Sequence, residues 1–191
     1  VNDNLMLALH LPKKKAFTFL EEMKKSPVTM YWWCRFDPQT EIRNGEEIFT
    51  TSNIKNWLDH ERVIQGGELT CWPKVMSGDD IVLHWMQEAK LRNKPIEGHL
   101  PGASEKTLAK MKLLGVDSDH ESMTGDDVKK RILQGYTTPL RYSSIRPDLP
   151  DMIEQLEETD LHYYDQSFFT TDGSPPSFYQ NGIIDRTIAI A

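Results

Sequence analysis

Cysteine is scarce: only Cys34 and Cys71 occur in 191 residues, and they form no Cys-x-x-Cys pair. Two thiols do not make a disulfide framework, so a reducing cytoplasm is the expected compartment. No apolar run approaches the ~20 residues needed to span a bilayer. Basic residues are outnumbered by acidic ones, 22 to 29, giving a net charge of −7 with both signs scattered. The chain therefore lacks the basic footprint that nucleic acid or an anionic membrane requires. No proline- or serine-rich linker, repeat or low-complexity tract interrupts it. The opening "VNDNLMLALHLPKKK" carries its charges after the apolar stretch, the wrong order for a signal peptide. What remains is 38% hydrophobic and 27% charged, the composition of a chain that can bury a core.

Helical and extended patterns alternate. "KKKAFTFLEEMKKS" (13–26) puts Phe17, Leu20 and Met23 on one helical face. "VTMYWWC" (28–34) is β-branched and aromatic and reads as a buried strand. "SNIKNWLDH" (52–60) reads as a short helix capped by Ser52. "RVIQGGEL" (62–69) reads as a strand broken by Gly66 and Gly67. "SGDDIVLHWMQEAKLRNK" (77–94) is helical, with Ile81, Trp85 and Ala89 at one spacing. "PIEGH" (95–99) and "VDSDH" (116–120) are strands separated by a helix over 104–115, which has a Ser104 cap and a Gly stop. A helix over 124–135 leads to "YTTPLRY" (136–142), a strand whose pairing Pro139 limits. A helix over 147–158, a strand over 164–172 and a helix after Gly182 complete the chain.

This alternation predicts right-handed βα units on a parallel sheet, either doubly wound or closed into a barrel. About six units are counted, against eight in a full (β/α)8 TIM-type barrel of ~250 residues. The expected class is α/β, an incomplete barrel lacking its N-terminal strands, with residues 1–191 as one partial domain.

The polar residues fall at strand ends: Glu68, then His99, His120, Arg141 and Asp172. In a parallel α/β sheet these ends share one face, where ligands bind. Two imidazoles and two carboxylates suit a divalent metal such as Zn, Mn or Fe. Such a metal lowers the pKa of bound water, and a neighbouring Asp can take the proton and return it to a leaving group. Each residue also has a plainer reading, the histidines as satisfied polar groups and the acids as helix caps. His10, His60, His84 and His162 lack a strand-end placement. Trp32, Trp33 and Phe36 are most simply packing residues, with stacking on a planar heterocycle as the other option.

"PIEGHLPGASEKTLAKMKLLGVDSDHES" resembles the adenine deaminases of the amidohydrolase superfamily, with their Gly-His-x-Pro-Gly stretch and later Asp-His-Glu. "GGELTCWPKVMSGDD" resembles the segment that carries the metal-bridging glutamate, here Glu68. "PLRYSS" is similar to the segment after the second His, and "FFTTDGSPPSFYQNGIIDRTIAIA" to the final barrel strand, with Asp172 at the metal-binding aspartate. The likeness spans about residues 10 to 190. It implies a metal-dependent barrel that hydrolyses adenine to hypoxanthine and ammonia. Manganese or iron is the implied metal, with zinc an alternative, binuclear in the full-length protein. Carried over, Glu68, His99, His120 and Asp172 are metal ligands. Asp172 is also the general base, Arg141 a substrate-side residue, and Glu121 a partner of His120 with a catalytic role. The implied partner is a purine base, and family members commonly self-associate.

Three departures bear on this. No His-x-His occurs, although the family's first strand carries one. Tyr142 follows Arg141 where the family has Glu, and Gly173 follows Asp172 where a second Asp is frequent. The expectation is that an N-terminal segment with the His-x-His lies outside these residues and that the chain alone is inactive. The altered rim leaves two other options open, an amidohydrolase of another cyclic amide or amine, and a metal-free non-catalytic relative.

Overall fold

The structure is a computed structural model that describes residues 1–38, 40–159, 161 and 164–191. His162, read as a loop residue, lies outside the described residues. The chain divides into two compact units, Val1–His99 and Leu100–Ala191.

In the first unit β1 (Asn2–Asp3) is followed by α1 (Leu5–His10) and α2 (Lys13–Glu22), then β2 (Trp32–Cys34), α3 (Gly45–Ile48), α4 (Thr51–Asp59), β3 (Val63–Leu69), α5 (Trp72–Ser77), α6 (Asp80–Leu91) and β4 (Ile96–Gly98). The four strands lie side by side in chain order. All pairs are parallel, with Asp3 opposite Trp33, Cys34 opposite Gly66, and Leu69 opposite Gly98. The helices between them close on the sheet because each has one apolar face. Helix α4 buries Ile54, Trp57 and Leu58, and α6 buries Val82, Trp85, Met86 and Ala89. Each fully buried aliphatic or Met side chain contributes about 1.5–3 kcal/mol. The α/β class with parallel strands stands as the sequence predicts.

Several local expectations shift. The cap of α4 is Thr50, whose side chain accepts from Asn53 N, rather than Ser52. Asp79 caps α6 and accepts from Ile81 N and Val82 N, while Ser77 closes the preceding helix. Ile81 is exposed, because Val82 takes the inward position beside Trp85 and Ala89. Gly66 and Gly67 do not break β3, which continues through them with a register irregularity. A Cβ on Gly66 would meet the Phe36 ring at 2.5 Å, and one on Gly67, at φ +117°, would meet Glu97 O at 2.5 Å. The pair lets β3 pass close to its neighbours immediately before Glu68.

In the second unit α7 (Glu105–Leu113) precedes β5 (Ser118–Asp119), α8 (Gly125–Leu133), β6 (Thr138–Arg141), α9 (Leu149–Glu157), β7 (Ser167–Thr170) and α10 (Ile184–Ile190). Ser104 and Thr124 cap α7 and α8 through their side-chain oxygens. β6 and β7 pair in parallel over four residues, with Arg141 opposite Thr170, and Ser118 bridges Thr137 in parallel. Pro139 does not prevent this ladder, since it sits opposite Phe168 with its neighbours in register. All four residues of β6 are buried, as expected of a strand covered on both faces. Its core joins Val128, Ile132 and Leu140 to Leu149, Met152 and Leu156. Among the described residues no helix is long and apolar enough to cross a membrane.

Candidate active site

The first unit assembles a charged network at the carboxyl ends of its four strands. Glu68, near the end of β3, and His99, the residue after β4, pair through Oε1 and Nδ1 at 2.6 Å. Glu68 Oε2 accepts from Arg35 Nη2 at 2.5 Å, and Arg35 Nε donates to Asp3 Oδ2 at 2.7 Å. Arg35 follows β2 and Asp3 ends β1, so each strand sends one residue into the network. Arg35 is 4% exposed, and its backbone N–H donates to Asn4 Oδ1. Neither Asp3 nor Arg35 stands out in the sequence. "WWCRF" reads as packing, and a two-residue strand leaves no periodic signal, although an Arg just past a buried strand end is the signal that was there.

In the second unit Arg141, at the end of β6, is the organising residue. Its Nη1 donates to Glu121 Oε1 at 2.9 Å and to Asp172 Oδ2 at 3.0 Å. Its Nη2 donates to Glu121 Oε2 at 3.4 Å. Arg141 and Glu121 are buried, whereas Asp172 is 37% exposed. Arg146 adds a longer contact to Glu121 Oε2 at 3.5 Å. His120, which directly follows β5, lies 3.5 Å from Glu121 through Nε2 and Oε1. Asp172 lies just beyond β7 with a left-handed φ of +51°, and its Oδ1 accepts from Gly173 N. Tyr179 donates its hydroxyl hydrogen to Asp172 O at 3.2 Å.

Beneath this cluster lies a buried ion pair. Asp119, adjacent to His120, accepts from Arg131 Nε at 2.5 Å and from Leu100 N at 2.8 Å. Arg131 Nη2 returns a hydrogen bond to Leu100 O at 3.2 Å. Both side chains are nearly inaccessible, and the pair fixes β5 against α8.

The structure thus brings Glu68 together with His99 in the first unit, and His120, Glu121, Arg141 and Asp172 together in the second. The donor types can be tested against a divalent metal. Glu68, His99 and His120 each offer one ligand atom of the kind such ions take. Glu68 Oε1 and His99 Nδ1 face each other at 2.6 Å, so the carboxylate–imidazole pair fits part of a divalent-metal donor set. Arg141 donates to two carboxylates, those of Glu121 and Asp172.

The sequence profile of the Amidohydrolase family matches residues 6–178, and the chain belongs to that family. A Halalkalibacterium halodurans protein named as a "Putative adenine deaminase" is 57% identical over 191 residues, which is all of this chain and 33% of that protein. A Bacillus cereus protein of the same name is 56% identical over the same length, 32% of its own. "Putative adenine deaminase YerA" of Bacillus subtilis is 52% identical, again over 33% of its length. The chain spans about one third of the length of these relatives.

Proposed function

We propose that this chain is part of an adenine deaminase that hydrolyses adenine to hypoxanthine and ammonia, with Glu68, His99, His120 and Asp172 as ligands of a divalent metal. The observation that carries the reading is the Glu68–His99 pair at 2.6 Å at two adjacent strand ends of an amidohydrolase chain. The relatives' names support the substrate. The carboxylate and imidazole donors support a divalent metal; the family resemblance implies manganese or iron, with zinc as the alternative, binuclear in the complete polypeptide. When bound, the metal supplies a water activated for attack at neutral pH.

The residues divide the remaining work. Asp172 takes the proton of the attacking water and returns it to the departing amine. Arg141 aims the Asp172 carboxylate, and Glu121 pairs with the same guanidinium and backs His120. The substrate-side role of Arg141 is exerted through Asp172. Residues 1–191 are read as part of one barrel domain, on a family match that runs from 6 to 178. The purine base is the partner, self-association is the expected assembly, and two free cysteines support a cytoplasmic setting.

A second reading keeps the chemistry and changes the substrate to another cyclic amide or amine. It rests on Tyr142, which follows Arg141 and lies against Phe178 with ring centroids 5.7 Å apart. Ammonia release by the complete polypeptide decides between these readings. Adenine deamination that His120→Ala abolishes supports the first. A preference for hydantoin-like or pterin-like compounds over purines supports the second. Undiminished deamination by His120→Ala refutes the assignment of His120.

A further inference from the structure

Within the first unit, Glu68 is held from both sides. One carboxylate oxygen faces His99, and the other is fixed by a guanidinium that is itself fixed at every branch. Arg35 Nη2 holds Glu68 Oε2 at 2.5 Å and Nε holds Asp3 Oδ2 at 2.7 Å. Nη1 reaches Glu68 O at 3.4 Å and Thr70 Oγ1 at 3.3 Å. A residue that grips both the side chain and the backbone carbonyl of Glu68 fixes its rotamer.

An arginine beside a metal ligand raises an immediate objection. Its positive charge opposes a cation at the same carboxylate. Here Asp3 answers it, because the Asp3–Arg35 pair is neutral and only the geometry of the fork remains. Arg35 holds Oε2, and Oε1 lies on the His99 side.

We propose that Arg35 is a positioning residue for Glu68, orienting Oε1 toward His99 as a single-oxygen metal ligand, with Asp3 cancelling the guanidinium charge that would otherwise repel the metal. This rests on the reading of Glu68 as a metal ligand. It extends that reading to two residues, Asp3 and Arg35, that are not among the proposed ligands. Partners that orient a metal ligand are commonly worth about 10–100-fold in metal affinity.

The test is Mn2+ binding to the metal-free complete polypeptide by titration calorimetry, with Tm measured on the same samples. Arg35→Met is expected to weaken binding at least about tenfold. Arg35→Lys keeps the charge but loses the fork. It is expected to remain folded and to weaken binding by a similar factor, because one ammonium cannot hold Asp3, Glu68 and the Glu68 carbonyl together. Asp3→Asn leaves the guanidinium uncompensated and is also expected to weaken binding. A merely structural role would lower Tm and leave the Mn2+ dissociation constant of the folded protein unchanged. Arg35→Lys within about twofold of the unsubstituted protein, while Glu68→Gln loses the metal, overturns the proposal for Arg35. Glu68→Gln binding Mn2+ normally overturns instead the reading on which it rests.

Discussion

Replacing Arg131 by Met puts the buried ion pair under His120 to a quantitative test. Arg131 and Asp119 are 2% and 0% exposed, with Nε and Oδ2 2.5 Å apart. In Arg131→Met the Asp119 carboxylate stays buried with Leu100 N as its remaining donor, and Leu100 O loses its guanidinium donor. Removing one member of a buried pair costs about 3–5 kcal/mol. The double variant Asp119→Leu, Arg131→Met removes the stranded charge but leaves the Leu100 amide without its acceptor. An unsatisfied buried amide costs about 1–3 kcal/mol. The double variant is therefore expected to be more stable than the single by about 2 kcal/mol, the difference of those ranges. Urea unfolding followed by circular dichroism measures both, with equal slopes confirming comparable denatured states. A single variant as stable as the unsubstituted protein, or a double variant less stable than the single, would refute the reasoning.

Three further outcomes follow from the same structure. Gly67→Ala forces a Cβ to within 2.5 Å of Glu97 O at φ +117° and should cost about 1–3 kcal/mol, read as a lower urea midpoint. Ser104→Ala and Thr124→Ala each remove a side-chain cap and should cost about 1 kcal/mol in the same assay. Burial raises the Cys71 thiol from 9.0 to about 12 and pushes the Cys34 thiol up as well, so neither should react with a thiol reagent at pH 8 until the chain is unfolded. Because the folded value of Cys71 lies above the unfolded one, its contribution to stability is complete below pH 9.0 and is lost as pH rises toward 12. Rapid labelling of native protein at pH 8 would contradict this.

The strand ends were legible because chemistry and punctuation coincide there. Glu68, His99, His120 and Arg141 each stand near the end of a short strand-like segment, and Asp172 stands beside Gly173. The parallel order followed from the alternation of periods. Other features left weaker marks. A two-residue β1 carries no period, so nothing in the sequence marks Asp3. Arg35 sits in an aromatic run whose packing value hides it. Asp119 and Arg131 are 12 residues apart on a strand and a helix, and nothing in either segment alone announces a buried pair. The cap of α4 lies two residues earlier than Ser52, at Thr50, because the helix start offers several hydroxyl candidates and only backbone geometry chooses among them. The same ambiguity hid the inward turn of Val82 in place of Ile81. Gly66 and Gly67 looked like a break because close approach by Phe36 and Glu97 is a property of the fold and not of the segment.

The most direct test of the central claim is the divalent-metal content of the complete polypeptide, expressed with manganese or iron, beside that of Glu68→Gln and His99→Ala. The account predicts stoichiometric metal and ammonia release from adenine, with metal lost from both variants while the fold persists. Metal content unchanged by either substitution would contradict it.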